Sequence, residues 1–191
     1  MSTHITIQQY IQYLVSEKRA SPNTVSAYQR DIASFVSIYE ADGLSFSPMA
    51  IEKRHVRRFV ARLHQDGRSS STIARRIAAL RSYFKFLIRV ETVSHNPFGE
   101  VRIPKYSKRM PRFLSPDDTA RLVESPRGHD IVAQRDRALL ELAYGAGLRV
   151  GELVGINIAD LDLSAGTVRV TGKGQKVRIS PMGRRAVSAV L

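Results

Sequence analysis

The chain has 191 residues, 43% of them hydrophobic, which suits one ordinary domain or two small ones with packed cores. It has no cysteine, which excludes a disulfide framework and any cysteine metal site. No apolar run approaches a membrane span and the opening residues lack a signal peptide's layout, so a soluble, cytoplasmic protein with no membrane partner is expected.

Lysine and arginine number 30 against 17 acidic residues, a net charge of +13. Between Lys53 and Arg112 there are 16 basic residues and 3 acidic ones, so this block holds all of the excess and the rest of the chain is neutral. A concentrated block of this kind is an electrostatic footprint for a polyanion, and nucleic acid fits it better than a membrane surface.

Four helices are predicted in the first ninety residues. Thr6 and Gln9 form a T-x-x-Q capping box ahead of Ile7, Ile11, Leu14 and Val15. Ser21-Pro22 is an N-cap followed by proline, with Val25, Tyr28, Ile32, Phe35, Val36 and Tyr39 as one stripe behind it. A third helix carries Val56, Phe59, Val60 and Leu63 and stops near Gly67. In the fourth, Ile73, Ile77, Leu80, Phe84, Leu87 and Ile88 recur at steps of three and four, while Arg75, Arg76, Arg81, Lys85 and Arg89 fill the other face. An apolar stripe backed by cations suits a helix that packs on a bundle and leans on phosphates, so Arg68, Arg75, Arg76, Arg81 and Lys85 are candidate DNA-binding residues.

From Val101 to Arg112 the chain has two prolines, five basic residues and no acid. It reads as a linker able to lie along DNA, with Lys105, Lys108 and Arg109 as contacts, or as a plain interdomain connection. A second compact region starts at Leu114-Ser115-Pro116-Asp117. Ala138, Leu139, Leu140, Leu142 and Ala143 are apolar nearly all round and predict a buried helix that stops at Gly145-Ala146-Gly147. A short helix through Glu152 follows. Thr167–Thr171 and Lys176–Ile179 alternate as strands of a hairpin with Lys173 at its glycine-flanked tip, and the last residues are apolar at helical spacing.

The sequence lacks a P-loop, a dinucleotide glycine fingerprint, zinc spacing and a G-x-S-x-G elbow. Arg149, flanked by Leu148 and Val150, is expected to be half buried and to need an anion. Glu152, three residues on, is one such partner, and a phosphate held by the planar guanidinium is the other. Lys173 alone would be an unremarkable exposed lysine.

Their order changes that reading. Arg135-Asp136-Arg137-Ala138-Leu139-Leu140, Tyr144-Gly145-Ala146-Gly147-Leu148-Arg149, Glu152-Leu153-Val154, Asp160-Leu161-Asp162 and Gly172-Lys173-Gly174-Gln175-Lys176 resemble the catalytic domain of the tyrosine site-specific recombinases, the phage-integrase family. Ser21-Pro22-Asn23-Thr24, Tyr28, Asp31, Phe35, Thr72-Ile73, Leu80-Arg81, Phe84 and Asn96-Pro97 are similar to that family's helical core-binding domain. The resemblance spans essentially the whole chain and leans toward the bacterial XerC branch. It implies a mainly α fold with a small β-hairpin or sheet: a four-helix SAM-like core-binding domain over 1–92, a basic linker over 93–112, and the N-terminal part of an α+β catalytic domain over 113–191.

In this family a tyrosine attacks a phosphodiester, forming a 3′-phosphotyrosine and freeing a 5′-hydroxyl, with no metal or other cofactor. By resemblance Arg149 steadies the phosphate, Lys173 protonates the departing oxygen, and Glu152 orients the site. The family's His-x-x-Arg motif, its further histidine or tryptophan and its tyrosine are not found. Eighteen residues follow Lys173 and none is His or Tyr. His55-x-x-Arg58 has the spacing but precedes Arg149, and Tyr144 is expected to be packed in its turn. A C-terminally truncated, DNA-binding chain is therefore expected. Its partners would be duplex DNA with a short inverted repeat and a second Xer-type recombinase, in a process such as chromosome dimer resolution before cell division. A mobile-element integrase fragment and a non-catalytic competitor of an intact recombinase are the alternatives.

Overall fold

The computed structural model describes residues 3–41, 43–102, 110, 113–172, 174 and 176–191. They fall into two compact units, Met1–Arg109 and Met110–Leu191.

The first unit contains the four expected helices: α1 (Thr3–Ser16), α2 (Pro22–Glu40), α3 (Lys53–Gln65) and α4 (Ser70–Arg89). Local chemistry sets two of the starts. Ser21 and Ser69 each accept the backbone N–H three residues on, at 3.2 and 3.3 Å, and so satisfy a donor that a helix start leaves unpaired. The expected cap at Thr6 is corrected. α1 already begins at Thr3, and Thr6 is a buried residue inside it whose hydroxyl lies 2.8 Å from the Tyr83 hydroxyl. A buried phenol needs a polar partner, and that need outweighs the local capping pattern.

The apolar stripes meet around Phe35, whose ring packs edge-on against Phe46, Phe59 and Phe98 at centroid distances of 6.0, 5.1 and 5.3 Å. Each fully buried ring of this size contributes roughly 1.5–3 kcal/mol. Phe98, Val93 and Val101, from the segment read as linker, belong to this core. The chain is held there by Asn96, which accepts the Phe98 N–H at 3.0 Å and donates to the Arg81 carbonyl at 3.0 Å.

The second unit holds α5 (Pro116–Val123), α6 (Ile131–Gly145), α7 (Val150–Val154), β1 (Leu161–Asp162), β2 (Thr167–Thr171), β3 (Val177–Pro181) and α8 (Arg184–Val190). The strands form an antiparallel sheet in the order β1-β2-β3, with Val168 opposite Ser180 and Val170 opposite Arg178. At two residues, β1 is too short to show periodicity. Gly147 turns the chain after α6 with φ +62°, a left-handed conformation that suits glycine.

The expected burial of α6 is also corrected. Leu142 packs with Leu148, Val168, Val170 and Ala186, but Leu139 is 36% exposed and Tyr144 is 65% exposed. The sheet and α8 cover one face of the helix, and the described residues of this unit cluster only seven buried hydrophobics. Tyr144, expected to be packed, stands in solvent at the helix end for the same reason.

Candidate functional site

In the second unit, Glu152 is the centre of the arrangement. It sits in the first turn of α7, 7% exposed, and Arg149 is that helix's N-cap. The Arg149 backbone N–H donates to Glu152 Oε2 at 2.9 Å and its guanidinium to Oε1 at 2.9 Å. From β3, Arg178 donates to both carboxylate oxygens, at 2.6 and 2.9 Å. Four donors on one carboxylate strongly favour the ionised form. The Arg178 side chain first, then the Arg149 backbone N–H, hold the Glu152 pKa down at about 2, and the same bonds raise that of Arg178.

Gly172 closes this cluster. A Cβ there would come within 3.1 Å of Glu152 Oε1 and 3.3 Å of an Arg178 guanidinium nitrogen, so any larger residue would press these side chains aside by a few tenths of an ångström. The Gly172 N–H donates to the Lys176 carbonyl at 2.7 Å, and Ser180 Oγ donates to the Ala146 carbonyl at 2.8 Å, tying β3 to the turn before Arg149. Lys173, the expected proton donor, lies outside the described residues.

Arg149 differs from expectation in one respect. Its side chain is 74% exposed rather than half buried. Leu148 turns inward, but Val150 is 79% exposed, so the flanking apolar residues do not enclose it. One guanidinium nitrogen is held by Glu152 and the rest of the fork faces outward, an arrangement able to bind an oxyanion.

Sequence reasoning missed Arg178 because β3 inverts the usual pattern. Val177 and Ile179 are 61% and 70% exposed, whereas Arg178 and Ser180 face inward. The register was the available signal: Arg178 lies opposite Val170, an inward residue of β2.

In the first unit the basic residues of α4 divide by occupation. Arg75 is ion-paired with Asp31, and Arg76 places Nε 3.7 Å from the same carboxylate while donating to Ser34 Oγ at 2.8 Å. Arg81 donates to the Phe98 and Val101 carbonyls at 3.2 and 2.8 Å, which gives it a structural task. Arg89 pairs with Glu17 at 2.7 Å and lies over the Tyr13 ring. Arg68 and Lys85 are exposed, with no side-chain ion pair among the described residues. Lys105, Lys108 and Arg109 lie outside the described residues. His55 accepts the Glu52 N–H through Nδ1 at 3.0 Å and packs edge-on against Tyr39, so it caps α3.

Among the described residues, no group of three or more His, Asp or Glu side chains is placed to hold a metal ion, and no helix is long and apolar enough to cross a membrane.

Residues 7–91 match the family described as phage integrase, N-terminal SAM-like domain, and residues 112–191 match the phage integrase family. Tyrosine recombinase XerC of Pelotomaculum thermopropionicum is 40% identical over 191 residues, covering 98% of this chain and 62% of that protein. Tyrosine recombinase XerC of Pseudomonas aeruginosa is 41% identical over 181 residues, covering 95% and 59%. The chain thus spans about three fifths of the length of these curated relatives. Two solved structures share the fold. A lambda integrase dimer bound to a COC′ core site matches with a TM-score of 0.71 at 20% identity, over 98% of this chain and 65% of that one. The Tn1549 transposon integrase in complex with transposon right end DNA matches with a TM-score of 0.68 at 20% identity, over 96% and 62%.

Proposed function

The chain belongs to the phage integrase family of tyrosine recombinases, and from that membership we propose that these 191 residues bind duplex DNA at a site-specific recombination core and hold a backbone phosphate at Arg149. The observation that carries the reading is the Arg149 fork, fixed by Glu152 on one side and open to solvent on the other. A guanidinium pinned in this way meets a phosphate without first losing rotamer freedom, and its fixed charge stabilises negative charge that builds on the phosphate oxygens. By family resemblance Lys173 would protonate a departing 5′-oxygen once a nucleophile is supplied, and Glu152 with Arg178 orients the site. Arg68, Arg75, Arg76 and Lys85, with Lys105, Lys108 and Arg109, provide the cationic surface for the flanking DNA backbone.

Strand cleavage in this chemistry needs a tyrosine. Tyr10, Tyr39 and Tyr83 are core residues, Tyr13 and Tyr28 pack against the same core, Tyr106 precedes Arg149 and lies outside the described residues, and no tyrosine follows Tyr144. We therefore read these residues as binding DNA and positioning the phosphate without cutting it by themselves. The similarity to XerC supports a role in chromosome dimer resolution, with an inverted-repeat site and a second Xer-type recombinase as partners.

A nicked suicide duplex carrying a candidate core site, run on native and denaturing gels from one incubation, tests this. A native shift with no adduct that survives denaturation is the expected result. A covalent adduct would overturn it and assign the nucleophile to a tyrosine present here, with exposed Tyr144 the first to substitute. No shift in either gel would remove the DNA-binding reading itself.

A further inference from the structure

Asp31 is the only buried acidic side chain among the described residues of the first unit. It sits on α2, in the middle of that helix, and faces α4. Three arginines bear on it. Arg75 donates to Oδ2, and Arg76 stands 3.7 Å from Oδ1. The charge of Arg30, its neighbour on α2, bears on the carboxyl, and that of Arg68, just before α4, bears on Arg76. Arg76 is held further by Ser34 and is only 15% exposed, whereas the Arg75 side chain is 45% exposed and keeps donors for an outside partner.

Like charges on long side chains repel and wander, and each must be ordered when a ligand docks. A buried counter-charge removes both costs before the ligand arrives. Because Arg30, Arg75 and Arg76 outnumber the carboxylate they face, the cluster stays net positive even with Asp66 acting on Arg76, as a phosphate site requires. We propose that Asp31 is a positioning residue for DNA, fixing Arg75 and Arg76 as a preset pair of donors to backbone phosphates, with Arg30 beside it on α2. The inference rests on the DNA-binding reading above and adds to it one residue that never touches the DNA.

A purely structural role for Asp31 and a positioning role differ in the sign of one measurement. Asp31→Asn keeps the shape and makes the chain more positive by one charge. Charge alone then gives tighter DNA binding, whereas lost positioning gives weaker binding. The full 191-residue chain is titrated against a short random-sequence duplex by fluorescence anisotropy between about 50 and 200 mM salt. Asp31→Asn, Arg75→Ala, the double variant and the exposed control Glu40→Gln are compared, each checked for a wild-type melting transition.

Asp31→Asn is expected to bind several-fold more weakly, with a salt slope reduced by about one unit. Glu40→Gln is expected to bind as tightly as wild type or more so. In the Arg75→Ala background, Asp31→Asn is expected to add less to the slope change than it does alone, because part of its effect runs through that arginine and the rest through Arg76. Wild-type binding combined with equal or tighter binding by Asp31→Asn sinks the inference alone. If the wild type shows no salt-dependent binding, the functional reading falls and takes the inference with it. Should Asp31→Asn fail to fold, Ser34→Ala keeps the buried charge and frees Arg76, and an unchanged slope in that variant is equally fatal.

Discussion

Asp31 in the first unit and Glu152 in the second are both buried, 2% and 7% exposed, and each faces two arginines. Their acidities nevertheless move in opposite directions. Glu152 accepts four hydrogen bonds, three from guanidinium nitrogens and one from a helix-start N–H, and its pKa falls to about 2. Asp31 accepts a guanidinium bond from Arg75, but Arg76 stays at 3.7 Å with Nε lacking any hydrogen-bond partner. Burial then outweighs the arginines and the Asp31 pKa is raised. Two causes set the sign: Asp31 loses more water, and fewer donors reach its oxygens, because nearby charge without a hydrogen bond does not replace lost water.

That contrast can be broken most forcefully at Glu152. Glu152→Ala unties β3 from α7 and leaves two guanidinium groups without their counter-charge. Hydrogen exchange should show protection lost across 149–153 and 171–178 while the first unit is unaffected; unchanged protection would mean the carboxylate does not organise the site. Arg178→Ala should produce a smaller loss confined to the hairpin, since the Arg149 bonds to Glu152 survive. Gly172→Ala forces a methyl against the carboxylate and should destabilise the second unit by about 1–3 kcal/mol in chemical denaturation, as overpacking does.

The pH dependence sharpens the comparison further. The folded pKa of Glu152 lies below the ordinary glutamate value of 4.5, so the stability it lends is complete above that value and is lost as pH falls through about 2. The Asp31 pKa is raised, so its charged form burdens the fold at neutral pH and the burden is relieved as pH falls through the raised value. Carboxyl carbon NMR titration should show Asp31 taking up its proton well before Glu152, and the reverse order would refute the comparison. The smallest effect is on stability at Asp31 itself. Asp31→Asn should alter first-unit stability by less than about 1 kcal/mol, because the lost bond to a half-exposed arginine and the removed desolvation cost offset each other.

The helices of the first unit were legible because stripes such as Ile73, Ile77, Leu80 and Phe84 serve a core that closes on itself, so periodicity and burial agree. The family motifs likewise led to Arg149 and Glu152 without any coordinates. Legibility failed where a residue answers to a distant partner. Thr6 looks like a cap locally but pairs with Tyr83, 77 residues away. Phe98 follows an Asn-Pro break and a run of polar residues, yet it completes the aromatic core. Arg81 has the right spacing for a cationic face, and its bonds to the Phe98 and Val101 carbonyls add a structural task that spacing does not announce. Arg178 was hidden because β3 turns its polar residues inward, and only strand pairing reveals that.

The bond from Thr6 to Tyr83, with the packing of Tyr10 on Tyr83 and Phe86, has a consequence for how the protein is made. Synthesis makes α1 before the rest of this unit; α1 packs on both α2 and α4, and its partners Tyr83 and Phe86 on α4, like Phe98, come late. α1 therefore meets α2 early but gains its partner Tyr83 only 77 residues after Thr6, so the core of the first unit is completed late.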